Sequence, residues 1–277
     1  MKMKSLLTRT IGILIAVASI TIGLSGDNLN ESFAQNNTKS FRYVPNEAFG
    51  FGEKLEYKVG HKLITAGTGY FYIQPKPVYR DGRPCYDIRF EVKSLPSLEW
   101  LYKVKDQYRT LLDVGGVFPW EFEQIIREGK YRRHSTATFN PYANTATVKN
   151  KTYQTPEYVH DIVSAFFYVR TMDLSSMKNG KTFFVKHFFD DTTMTLGVKI
   201  HRRETIEVEA GTFKCIVIEP LVVKGGLFKN EGNIFIWVTD DARKIPVKVA
   251  TKIIIGYVGA ELTGYSGIRG PIDAKIN

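Results

Sequence analysis

Apolar residues recur at every second position along most of the chain. In Glu53-Lys54-Leu55-Glu56-Tyr57-Lys58-Val59, Leu55, Tyr57 and Val59 share one face and the charges share the other. Tyr86-Asp87-Ile88-Arg89-Phe90-Glu91-Val92 repeats the pattern, and so does Phe118-Pro119-Trp120-Glu121-Phe122, with Pro119 on the outward phase. Successive side chains of a strand point to opposite faces, so this alternation predicts antiparallel sheet with one face on a core and one in water. Asp81-Gly82, Gly115-Gly116, Asn179-Gly180, Ala210-Gly211 and Gly225-Gly226 punctuate the runs as turns. About a dozen strands are expected, joined by hairpins and meanders rather than crossovers.

One segment breaks the period. Thr155-Pro156-Glu157 offers an N-cap residue, a proline for the first helical position and an early acid. Val159, Ile162, Val163, Phe166, Val169 and Arg170 then follow helical spacing, and Ala165, Phe167 and Met172 widen the apolar surface. A helix this apolar needs cover on more than one side. The expected fold class is therefore mainly β: a curved antiparallel sheet or incomplete barrel packed around one amphipathic helix.

The first residues bear on compartment. Lys2, Lys4 and Arg9 precede a charge-free stretch from Ile11 to Leu24, about 14 residues and short for a membrane span. Ser32-Phe33-Ala34 places small residues for cleavage before Gln35. The expected organisation is a signal peptide over 1–34, a flexible lead-in over 35–48 and a single β domain over 49–277. The only cysteines are Cys85 and Cys215, so no cysteine follows the hydrophobic stretch to take a lipid anchor. The expected location is exported, periplasmic or outer-membrane-associated, without lipoprotein modification.

Composition adds less. Apolar content of 43% and aromatic content of 13% suffice for a packed core. The formal charge of +10 suggests an anionic partner. Export and the single spacing of the cations argue against nucleic acid. The densest run, Lys130-Tyr131-Arg132-Arg133-His134, suits a solvated face, an anionic envelope polymer or lipid headgroups. Cys215 shares a phase with Phe213 and Val217 and Cys85 with Asp87 and Arg89, so the thiols are expected to face opposite ways.

Catalytic patterns are sparse. His160, Asp161 and Ser164 lie close together, but without a nucleophile elbow their expected roles are helix capping and core hydrogen bonding. The five histidines are scattered, Asp190-Asp191 and Asp240-Asp241 read as turn acids, and no metal or cofactor is expected. Paired acids for glycoside cleavage leave no sequence signature. The aromatics offer ligand-binding candidates: Tyr70 and Tyr72, which flank Phe71 so that at least one ring must leave the core face, Trp100 and Tyr102 in a loop-like stretch, and Phe166 on the helix.

A family resemblance rests on an ordered set of segments. Gly52-Glu53-Lys54-Leu55-Glu56-Tyr57 opens it and Asp161-Ile162-Val163-Ser164-Ala165 is central. Then come Ala210-Gly211-Thr212-Phe213-Lys214-Cys215, Ile234 to Asp241, Ile245-Pro246-Val247-Lys248-Val249 and Gly256 to Leu262. Together these resemble the DUF3108 family of exported bacterial proteins over Phe51 to Tyr265. The resemblance implies architecture and compartment but no catalytic residues. A more distant likeness to the lipoprotein carriers LolA and LolB, through the turn motif Trp237, Asp240, Asp241 and Pro246, implies a curved sheet whose hollow holds acyl chains. The same motif also reads structurally, as a charged turn leading into a strand that starts at Pro246 near an edge.

Three functions follow as expectations: a non-enzymatic envelope protein binding a lipid-like ligand, an envelope assembly factor with a filled core, or a carbohydrate hydrolase. A ligand site should show an apolar cavity of roughly 300 Å³ or more. An assembly factor should show a filled interior with an exposed apolar patch. A hydrolase should show a polar cleft with two close carboxylates, one with a raised pKa.

Overall fold

The computed structural model describes residues 40–61, 64–224, 227–229, 234–253 and 256–276. The expected signal peptide and the Gly225-Gly226 turn lie outside the described residues. From the N-terminus come β1 (Lys54–His61), β2 (Ile64–Ile73), β3 (Val78–Arg80), β4 (Arg83–Ser94), β5 (Lys105–Asp113), β6 (Pro119–Glu128), β7 (Tyr131–Asn140), β8 (Thr145–Val148) and β9 (Lys151–Gln154). Helix α1 (Ile162–Arg170) precedes β10 (Thr182–Phe189), β11 (Thr192–Val208), β12 (Gly211–Lys224), β13 (Leu227–Lys229), β14 (Ile234–Thr239), β15 (Pro246–Ile253) and β16 (Gly256–Ser266).

All the described strands join one antiparallel sheet, ordered β10-β11-β12-β14-β15-β16-β1-β2-β4-β5-β6-β7-β8-β9, with β13 beside β12 and β3 beside β4. Two meanders meet where β16 returns to pair with β1, Val59 opposite Ala260. The sheet does not close into a barrel. Its ends are drawn together by His160, whose N–H donates to the Lys186 carbonyl (2.9 Å) and whose carbonyl accepts from Phe188 N (2.8 Å). Phe188 of β10 also packs on Phe139 and Tyr153 of the opposite end, with ring centroids 6.1 and 5.9 Å away.

The helix lies in the concavity, as its apolar surface requires. Val163 and Phe167 pack with Phe49, Ile88, Phe90 and Tyr108. Ala165 and Val169 pack with Val185, Val198, Ile200, Ile216 and Ile218. Arg170, only 1% exposed, ends the helix in the core. Its Nη1 and Nη2 donate to the two Glu53 carboxylate oxygens at 2.6 and 3.0 Å, and Nη2 also reaches the Ala48 and Arg243 carbonyls. That fork ties the helix to the chain ahead of β1 and to the turn after β14.

Several details depart from the sequence expectation. The helix begins six residues later than the Thr155 signal suggests, capped by Asp161, whose Oδ1 accepts from Val163 N (2.8 Å) and Ser164 N (2.9 Å). Thr155 and His160 cannot be helical because their backbones bond to Asn144 and to β10. The lead-in is docked rather than flexible from Phe41 onward. Phe41 packs against Phe118 and Tyr142, Arg42 donates to the Gly116 and Val117 carbonyls, and Ala48 and Phe49 are buried. Cys85, on the outward phase of β4, is buried because β3 runs beside it and the Phe41 side chain joins the cluster around it. Cys215 lies in a separate cluster, and both thiols are free. Pro246 begins β15 as expected, but β15 is a central strand and Pro246 is buried, opposite Val238 at a register shift.

Candidate functional site

Between α1 and the middle of the sheet lies a cavity of about 150 Å³. Its wall is a row that the strand register brings into line: Ile218 of β12, Ile236 of β14, Val249 of β15, Ala260 of β16 and Val59 of β1 are successive cross-strand partners. Gly69 and Phe71 of β2 and Phe90 and Val92 of β4 extend it, and Ile162, Ala165, Phe166 and Val169 of α1 cover it. The space exists because small residues, Gly69, Ala165 and Ala260, stand where large ones would fill it. Phe71 stacks on Phe166 with centroids 5.8 Å apart, forming one wall.

The lining is apolar apart from one group. The Tyr57 hydroxyl donates to the Pro246 carbonyl at 2.8 Å, and burial pushes its pKa well above the ordinary tyrosine value. That group is neutral and already bonded, so the cavity offers water almost no partner. Its volume is half that expected of a site enclosing a whole ligand. An apolar cavity of about 150 Å³ takes a group of roughly benzene's size.

Of the sequence candidates, Phe166 lines this cavity. Tyr70 and Tyr72 do not; they lie on the opposite face of β2, across from Glu91 and Arg89. Burial, then Glu91, raises the Tyr70 phenol. Phe71 between them is the residue that faces inward. The alternation Gly67, Gly69, Phe71, Ile73 carries that signal, but two glycines gave it no hydrophobic weight. Tyr102 is half-buried against the core beside Gly129. Trp100, 82% exposed, stands outside the cavity in the loop after a 3-10 turn at Pro96–Leu98.

The turn motif is structural in its contacts. Asp241 Oδ1 accepts from Thr239 Oγ1, Arg243 N and Lys244 N, and Oδ2 accepts from Ala274 N, so one carboxylate closes the turn and pins the C-terminal segment. Asp240 accepts from Ser175 Oγ and pairs with Arg203. Trp237 donates its indole N–H to Glu204, and Pro246 contributes to the cavity wall.

Two polar groupings test the catalytic alternatives. His160 Nδ1 lies 3.3 Å from Ser164 Oγ, but Asp161 caps the helix and takes the Thr110 hydroxyl (2.8 Å) instead of orienting the imidazole. His160 Nε2 faces the Arg42 guanidinium, and burial, then Arg42 and His187, holds its pKa well below the ordinary value. All three are essentially inaccessible, so no triad is assembled. Asp106 and Glu128 lie on the inner face of β5 and β6; burial, then Asp106, pushes Glu128 up to about 8. A shallow polar hollow of about 220 Å³ lies on the outer face, where Glu121 and Glu123 are engaged by Arg80 and His134. The raised carboxyls and the polar hollow are thus on opposite faces of β6, and the two parts of the hydrolase expectation do not meet. Among the described residues no three metal-ligating side chains converge.

Comparison with known proteins adds a family and three distant structural likenesses. A "beta-barrel-like" DUF1849 domain protein from Brucella abortus matches with a TM-score of 0.49 at 9% identity, covering 82% of this chain and 99% of that one. A lipoprotein candidate from Parabacteroides distasonis gives 0.35 at 11%, covering 82% and 100%. A candidate exported protein with a YmcC-like fold from Bacteroides fragilis gives 0.29 at 11%, also covering 82% and 100%. Identities and scores this low lend no weight to a shared activity. No curated protein matches the sequence. The model of the family described as "Protein of unknown function (DUF3108)" matches residues 56–263, and the chain belongs to that family.

Proposed function

We propose that this is a non-enzymatic, exported protein of the cell envelope that holds one apolar chain of a lipid-like ligand between α1 and the sheet. The cavity carries this reading. Eight strands and the helix converge on it, small residues keep it open, and it presents no charged group. Left empty, such a space costs stability in proportion to its volume, so a fold that maintains it gains by filling it. The volume suits the end of one acyl chain, with the rest of the ligand outside. Export rests on the N-terminal pattern and the family resemblance.

The test is mass spectrometry on exported protein purified without detergent, comparing native and denatured spectra. A stoichiometric lipid-like mass that leaves on denaturation is the expected result. A bare chain mass that persists after incubation with total envelope lipid would overturn the reading.

A further inference from the structure

The strand register aligns four cations across neighbouring strands at one end of the sheet. Lys93 of β4 is paired with Lys105 of β5, and Arg127 of β6 with Arg132 of β7. Lys105 falls opposite Arg127, because the Gln107–Ile125 pair and the Val104–Glu128 bridge bracket it. Val92, Asp106 and Ile126 face inward, so the row faces out, and all four residues are exposed. Like charges directly opposite each other destabilise a sheet. Several other cations of the outer face are matched by acids: Arg89 and Arg109 share Asp87, Lys58 and Lys248 share Glu261, and Arg80 meets Glu121. Among the described residues Lys93, Lys105 and Arg127 have no ion pair, and Arg132 donates only to the Gly129 and Tyr131 carbonyls.

Exposed apolar side chains stand just beyond this row. Trp100 is 82% exposed, Tyr131 54% and Leu101 37%. The two segments that carry them are joined, since Gly129 N donates to the Lys103 carbonyl at 2.8 Å. The cavity lies toward this same end, with Val92 two residues from the end of β4 and Val59 two from the end of β1. Aromatic and aliphatic side chains beside a band of cations match the boundary between anionic headgroups and acyl chains. A soluble polyanion would match the cations but would leave Trp100 and Leu101 without a partner.

We propose that this end of the sheet docks on an anionic phospholipid membrane, with Lys93, Lys105, Arg127 and Arg132 on the headgroups and Trp100 and Leu101 at the acyl boundary. Docking there brings the cavity to the lipid surface, yet it does not depend on the cavity being filled.

Sedimentation of the exported protein with vesicles tests this, using phosphatidylglycerol and phosphatidylcholine in equal parts against phosphatidylcholine alone. Binding to the anionic vesicles only is expected, weakened by 0.5 M salt. Trp100 emission should shift to the blue, because Trp120 and Trp237 are already buried. Each cation at an anionic surface contributes about fivefold in affinity, so the combined K93Q, K105Q, R127Q and R132Q variant should lose well over tenfold. Its far-ultraviolet circular dichroism should be unchanged. Equal sedimentation with both vesicle types, or an unshifted Trp100, would overturn the proposal. So would retention on soluble polyphosphate without vesicle binding, which would assign the row to a polymer. A protein that binds vesicles but carries no lipid would leave this proposal standing and sink the ligand reading alone.

Discussion

The middle of the sheet and its far wing, β5 to β9, are built from the same alternating pattern but have different interiors. In the middle, the inward residues Ile218, Ile236, Val249, Ala260 and Val59 are apolar, and a cavity remains under the helix. In the far wing, the inward positions include Asp106, Thr110, Gln124 and Glu128, and the facing helix start adds His160 and Asp161. A buried polar group is costly unless it is bonded, and several of these draw a partner into contact. The Thr110 hydroxyl donates to Asp161, Arg127 N donates to Asp106, and His160 Nδ1 lies beside Ser164 Oγ. Space closes around such contacts. Emptiness is tolerated where few polar groups have to be satisfied, and the cavity lining in the middle of the sheet holds only the Tyr57 hydroxyl, already bonded to the Pro246 carbonyl.

The largest expected effect comes from the buried Arg170–Glu53 pair beside the apolar region. Arg170→Ala leaves Glu53 buried without its partner and should cost about 3–5 kcal/mol in urea unfolding. An Arg170→Met, Glu53→Gln double variant should recover much of that loss, because no uncompensated charge remains.

The far wing should also respond to pH where the middle does not. The folded protein holds a proton on Glu128 up to about pH 8, whereas an ordinary glutamate releases it near pH ~4.3. The stability this proton contributes is complete below the unfolded value and is lost as pH rises through about 8. His187 of β10, which meets the far wing through His160, has the opposite sign: burial lowers it to about 4, so its contribution is present above about 6.5 and is lost as pH falls toward 4. Glu128→Gln should flatten the alkaline slope in thermal melts between pH 5 and 8. Substitutions in the cavity should leave both slopes unchanged.

A smaller effect compares the two regions through the same substitution. Ala146, fully buried in β8, sits in the core cluster with Phe139 and Val148, and Ala146→Leu should cost about 1–3 kcal/mol through overpacking. Ala260→Leu enlarges a side chain that borders empty volume and should change stability by less than about 1 kcal/mol. Equal costs at the two sites would mean that the regions are packed alike.

Much of this architecture is legible in the sequence, because period-two alternation depends only on which residues face inward. The helix was legible as an element through Val163, Phe166 and Val169, but its start was misplaced. Thr155-Pro156 is a good local start signal, yet tertiary hydrogen bonds from His160 to β10 outweigh it. The burial of Cys85 was hidden because the cover comes from Phe41, 44 positions earlier and outside any periodic pattern. The cavity was least legible. Its position depends on the cross-strand alignment of Val249, Ala260 and Val59, which no local window reports. The cation row is hidden for the same reason: Lys93, Lys105, Arg127 and Arg132 are ordinary residues until the register lines them up.

The most direct test is titration with a fluorescent polyene fatty acid, comparing the unaltered protein with Ala260→Leu and Ala146→Val. The account predicts stoichiometric binding to the unaltered chain, loss of most affinity in Ala260→Leu, and little change in Ala146→Val. Binding that survives in Ala260→Leu, or no binding to the unaltered chain, would contradict the claim that the space beneath α1 is where the ligand sits.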